Sequence, residues 1–162
     1  MAYGDKRDFE KAITNYKKAI ERKQDFDAAF INLGTAYAAV GKHEDAIQSY
    51  LRAAELSPGS QSAISAYNNL GIEYCAVNKA EKAEASFKKA IEKAAQIDPH
   101  QAEPTVNLGM LYSALKRREE ALILLKKAVA IDPDNQKARH ELALARQTIE
   151  KVEDKTTVPK KP

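Results

Sequence analysis

Apolar residues along the chain fall at helical spacing, in blocks separated by short polar or Gly/Pro breaks. In residues 7–22, Phe9, Ala12, Ile13, Tyr16 and Ile20 share one face, which predicts a helix with Asp8 available as its cap. The same spacing predicts helices near 26–40, 43–56, 61–77, 101–115 and 118–131, with breaks at Val40-Gly41-Lys42, Pro58-Gly59 and Asp132-Pro133. Between the helices near 61–77 and 101–115, Ala83, Phe87, Ala90, Ile91 and Ala94 lie on one face of a further helix. From Gln136 onward Ala138, Leu142, Ala145, Ile149 and Val152 keep one apolar stripe with charge opposite it.

Within these helices one set of residues returns. Phe30, Leu33, Gly34 and Tyr37 are followed by Ala46, Tyr50, Ala53 and Pro58. The set recurs as Tyr67, Leu70, Gly71, Tyr74, Ala83, Phe87 and Ala90, then as Leu108, Gly109, Tyr112, Ala121, Leu125, Ala128 and Pro133. This sequence, large-x2-Leu-Gly-x2-Tyr followed by Ala-x3-aromatic-x2-Ala, resembles the tetratricopeptide repeat. The resemblance implies an all-α fold, a right-handed superhelical solenoid of antiparallel helix pairs, and a role in binding other proteins. In the third copy Thr105 and Leu125 stand where a large residue and an aromatic are expected, which weakens that match without changing the fold expected.

Chemistry explains the set. Gly34 and Ala46 carry little or no side chain, so two backbones approach closely where their helices cross. Leu33, Tyr37 and Tyr50 fill the space around that crossing. Leu70 falls 37 residues after Leu33, and Leu108 falls 38 after Leu70, against a family period of about 34. The extra residues are expected to lengthen helix ends, at the front of the helix from 61 and inside the one that follows, and to spare the stacking.

The expected organisation is a repeat array over 1–152: a partial repeat 1–26, repeats 27–60, 61–99 and 100–135, and a capping helix 136–152. Residues 153–162 are expected to be a disordered tail. In the partial repeat Tyr3 falls 34 residues before Tyr37, so the array is expected to start inside a repeat. Either it was cut from a longer array, or the apolar edge at Phe9, Ile13 and Tyr16 meets another molecule, including a second copy. In the capping helix Arg139, Ala143 and Arg146 replace the large residue, glycine and tyrosine of the set, as a solvated cap requires.

Composition narrows the partners. The 162 residues carry 26 basic and 23 acidic side chains, a net charge of +3. That surface is mixed, and nucleic acid is not an expected partner. A single cysteine, Cys75, forms no internal disulfide. No apolar run is long enough for membrane insertion and no leader pattern is present, so a cytoplasmic setting is expected.

Catalysis has no support in the sequence, and neither a cofactor nor a metal is expected. His43, His100 and His140 lack a second histidine or cysteine at ligand spacing, and there is no phosphate loop or nucleophile elbow. The residue before each Leu-Gly pair is asparagine: Asn32, Asn69 and Asn107. In the family the first helix of each repeat lines a concave groove, where an asparagine amide can pair with a peptide backbone; the alternative is a solvated amide. The expected groove residues are Asn32, Thr35, Asn68, Asn69, Ile72, Asn107, Met110 and Lys137, on a face otherwise small and apolar.

Family members that bind chaperone C-terminal peptides hold the carboxylate with Lys and Asn on one first helix, Asn on the next, and Lys and Arg on a third. The complete repeats place Ile31 and Thr35, Asn69, and Glu103 and Asn107 there, so only Asn69 agrees. One repeat further on, only Asn107 and Lys137 agree. Tight binding of such peptides is not expected, because neutral groups do not replace charge-assisted hydrogen bonds. The function expected is a scaffold or adaptor that binds a peptide segment of a partner protein. Two alternatives stay open: self-assembly through the Phe9, Ile13, Tyr16 edge, and an auxiliary domain of a larger enzyme.

Overall fold

A computed structural model describes residues 6–23 and 25–157. Tyr3 and residues 158–162 lie outside them. Among the described residues the chain forms eight α-helices: α1 (Lys6–Arg22), α2 (Asp27–Ala39), α3 (His43–Leu56), α4 (Gln61–Ala76), α5 (Ala80–Ile97), α6 (Glu103–Ala114), α7 (Arg118–Ile131) and α8 (Gln136–Thr157). Asp8 sits in the first turn of α1 rather than at its cap.

Contacts divide the chain into two compact units, residues 1–98 and 99–162. In the first, α2 packs on α3 and α4 on α5, α1 and α3 each pack on the helix that follows, and α2 touches α4. In the second, α6 packs on α7, α7 on α8, and α6 touches α8. The extra residues lengthen helices, as expected. Helix α5 has 18 residues where α3 and α7 have 14, and α4 has 16 where α2 has 13.

The tight turns after α2, α4 and α6 share one solution. Gly41, Asn78 and Lys116 all take positive φ, at 78°, 57° and 60°. The next residue in each turn donates its N–H to a tyrosine carbonyl five residues back: Lys42 to Tyr37 at 2.9 Å, Lys79 to Tyr74 at 2.8 Å, Arg117 to Tyr112 at 2.9 Å. This is the six-to-one bond of a Schellman C-cap, which satisfies a helix-end carbonyl. The tyrosine of the repeated set thus supplies both a packed ring and the carbonyl that closes the turn.

The core of the first unit gathers Ile13, Leu33, Tyr37, Ile47, Tyr50, Ala53 and Leu70. That of the second gathers Val106, Leu125, Ala128, Ala138, Leu142 and Ala145. The repeated glycines lie directly over these layers. A Cβ on Gly34 would stand 2.7 Å from Tyr50 Cε1, one on Gly71 2.5 Å from Phe87 Cδ1, and one on Gly109 2.8 Å from Leu125 Cγ.

Two expectations change. Helix α8 runs to Thr157, five residues into the expected tail, because residues 153–157 contain no proline or glycine and a started helix extends at little cost. Ile13 is buried at 6 % exposure within the core of the first unit, while Phe9 and Tyr16 are half-buried against it. Packing of α1 on α2 turns Ile13 inward, so it does not belong to an open edge.

Candidate functional site

In the first unit the neighbouring first helices α2 and α4 present Asn32, Thr35, Ile72 and Cys75 as exposed residues. Ile31, Ser65 and Asn69 are half-buried beside them. Ile72 is a large apolar side chain left 43 % exposed. Asn68 is only 6 % exposed, so it lies inside the helix packing and not on the face where its spacing placed it.

Beneath this face runs a polar chain that sequence reasoning missed. The Thr35 hydroxyl donates to the Ile31 carbonyl at 3.0 Å. Its oxygen lies 3.1 Å from the Tyr50 hydroxyl, within hydrogen-bond distance, with either hydroxyl able to donate. Asn69 adds a hydrogen bond to Tyr50. Burial raises the Tyr50 pKa above its ordinary 10.0 and the nearby Glu73 charge raises it further, while the bonds with Thr35 and Asn69 oppose the rise. The phenol is therefore held neutral.

Glu73 is itself buried, and His43 Nδ1, at the first residue of α3, lies 2.7 Å from its Oε2. This pair ties α3 to α4. At the start of α2, hydrogen bonds from Ser57, then Ser62 and the Ala28 amide, hold the Asp27 carboxyl below its usual range against the opposing effect of burial. Asp27 thereby links the beginning of α2 to the end of α3 and the front of α4.

In the second unit, Lys137 Nζ on α8 donates to Asn107 Oδ1 on α6 at 2.9 Å. Asn107 is buried at 7 % exposure, Met110 is half-buried and Lys137 is exposed. The same unit has a cavity of about 170 Å³ lined by Ser113, Arg118, Glu141, Leu144, Ala145 and Thr148. Arg117 stacks 3.8 Å over the Tyr112 ring and donates to Glu120 at 2.7 Å, so its charge is already engaged.

The three asparagines before Leu-Gly look equivalent in sequence, and the structure separates them. Asn32 is exposed and makes no hydrogen bond among the described residues. Asn69 is half-buried and engaged by Tyr50, because α3 carries a hydroxyl where α5 carries Phe87. Asn107 is fixed by Lys137. A Tyr-for-Phe difference within the repeated set was the available signal for the second case.

Tyr50→Phe tests the polar chain. It removes the bonds to Thr35 and Asn69 and is expected to lower stability by about 1 kcal/mol near neutral pH. Because the folded pKa of Tyr50 is raised, its contribution is present in full below pH 10.0 and is lost as pH climbs from there through the folded value. Denaturation at a series of pH values should therefore show the wild type losing stability above about pH 10 more steeply than the variant. Parallel profiles would exclude this role.

Helix pairs in series, each first helix touching the next within its unit, define a helical-repeat solenoid of the all-α class. The chain belongs to the tetratricopeptide-repeat family: residues 25–96 and 62–134 match one model of the tetratricopeptide repeat, and residues 2–41 match a second TPR model. No curated protein matches the chain in sequence. Among solved structures it is similar to MamA, at 25 % identity and a TM-score of 0.74 over 90 % of this chain and 81 % of that one.

It also resembles the first TPR of Spaghetti (RPAP3) bound to the HSP90 peptide SRMEEVD, at 21 % identity and a TM-score of 0.66 over 76 % of this chain and 93 % of that one. A third similar fold is YrrB, described as a TPR protein with an unusual peptide-binding site, at 23 % identity and a TM-score of 0.67 over 86 % and 68 % of the two chains. Among the described residues no helix is long and apolar enough to cross a membrane.

Proposed function

We propose that the chain is a scaffold or adaptor that holds a peptide segment of a partner protein against the faces of its first helices. The observation that carries this reading is on α2 and α4. Asn32, whose side-chain amide makes no hydrogen bond among the described residues, occupies the same set of neighbouring helices as a large exposed apolar side chain, Ile72. An amide that pairs with a main chain and an apolar anchor beside it are what an extended peptide needs. Met110, Lys137 and the cavity at Leu144 supply comparable features on the second unit. The likeness to two peptide-binding folds supports the reading at the level of fold.

Peptide-array selection against the whole chain, followed by calorimetry on the peptides recovered, tests it. Ile72→Arg and Asn32→Ala change exposed residues and are expected to leave the melting temperature unmoved. Ile72→Arg should weaken binding about tenfold or more, the equivalent of one lost apolar anchor. Peptides that bind both variants as they bind wild type would refute the assignment. The HSP90 peptide SRMEEVD is expected to bind no more tightly than in about the millimolar range, since on the first unit Ile31 and Thr35 stand at the positions where its carboxylate would need a lysine and an asparagine.

A further inference from the structure

We propose that α1 pairs, antiparallel, with α1 of a second copy of this chain. Among the described residues α1 packs on α2 alone. Ile13 is consumed by that contact, while Phe9, Ala12, Tyr16, Ala19 and Ile20 remain half-buried. The flank of α8, the last helix, does not match this apolar face, because Arg139, Ala143 and Arg146 are all exposed there. A surface whose chemistry does match is α1 itself.

The fit is set by a seven-residue spacing. Asp8, Asn15 and Arg22 are exposed and form one row along the helix, and Ala12 and Ala19 form the row beside it. Turning a second α1 about Asn15 in the antiparallel sense sets Asp8 opposite the second copy's Arg22, and brings Ala12 to within one residue's rise, about 1.5 Å, of its Ala19. Twofold symmetry then makes each of these contacts twice. Alanine close to alanine lets the two helices approach closely. Asn15 opposite Asn15 is self-complementary, since an amide carries both donors and acceptor. Asp8 has only a loose 3.8 Å contact with Lys11 at present, both side chains being mostly exposed, so pairing displaces little. A patch of one helix is small, which places the association in a weak range.

The test is sedimentation equilibrium or light scattering of the full chain from micromolar to millimolar concentration. The mass is expected to rise from 17.9 kDa toward twice that value. Asp8→Arg and Arg22→Asp should each weaken dimerisation by about tenfold or more through like-charge apposition. The doubly swapped variant Asp8→Arg/Arg22→Asp should return to wild-type affinity, an outcome that damage to the fold would not produce. Circular dichroism confirms that each exposed substitution leaves the helices intact. A mass constant at 17.9 kDa up to millimolar concentration overturns the proposal. So does a dimer indifferent to the single swaps, which would mean that another face or occupant is used. Ile72→Arg, which disables the proposed peptide face, should leave dimerisation unchanged, so the two readings fail separately.

Discussion

Gly71→Ala is expected to lower the unfolding free energy by about 3 kcal/mol, although alanine is the better helix former by about 1 kcal/mol. Gly71 lies mid-helix in α4, where its backbone rests on the ring of Phe87 from α5. A Cβ there would come within 2.5 Å of Phe87 Cδ1. Phe87 is only 2 % exposed, so the ring has nowhere to turn, and α4 must lift from α5 instead. For a chain of this size the melting temperature should fall by roughly 10 °C.

Phe87→Leu in the Gly71→Ala background should recover part of the loss, because leucine carries fewer atoms than the ring and leaves room for the added methyl group. The two substitutions would then couple in a double-mutant cycle. Gly109→Ala should be the milder single change, since its Cβ would stand 2.8 Å from Leu125 Cγ, against 2.5 Å between a Cβ on Gly71 and Phe87 Cδ1. If Gly71→Ala proved as stable as wild type, the close crossing of α4 and α5 would be wrong.

His43→Ala is expected to be the second most damaging of the substitutions considered, at about 2 kcal/mol near neutral pH. Removing the partner of a buried polar group costs about 1–3 kcal/mol, and more where that group is charged. The figure is reduced here because the His43 side chain is 35 % exposed, whereas that of Glu73 is 8 % exposed. The loss arises from the buried Glu73 carboxylate left without its partner, so Glu73→Gln added to His43→Ala should restore about 1 kcal/mol by removing the charge. Urea denaturation of the two single variants and the double variant measures this. A His43→Ala protein within about 0.5 kcal/mol of wild type would mean that the pair contributes nothing to joining α3 and α4.

Both predictions separate what repetition encodes from what it does not. Gly71 and Phe87 were legible, since they stand sixteen residues apart in a pattern that recurs as Gly34 with Tyr50 and Gly109 with Leu125. His43 and Glu73 were not. Neither belongs to the repeated set, and the two lie 30 residues apart on different helices. The same holds for Lys137 and Asn107, also 30 apart. Asp27 acts similarly, reaching Ser57 at the far end of its own repeat and Ser62 at the start of the next.

The sequence by itself determined the helices, their pairing and the family, because helical period and the Leu-Gly, Tyr, Ala and aromatic positions are local and recur often enough to read. It also identified first-helix faces as the place to look for function. Tertiary structure alone decided that Ile13 is interior and not part of an open edge, and that Asn68 is buried. It decided too that, of three asparagines with the same neighbours in sequence, Asn32 makes no side-chain hydrogen bond among the described residues, while Asn69 and Asn107 are held by Tyr50 and Lys137. The reason is physical: periodicity fixes which way a side chain points along its own helix, but its hydrogen-bond partner comes from another helix and is set by how the two cross.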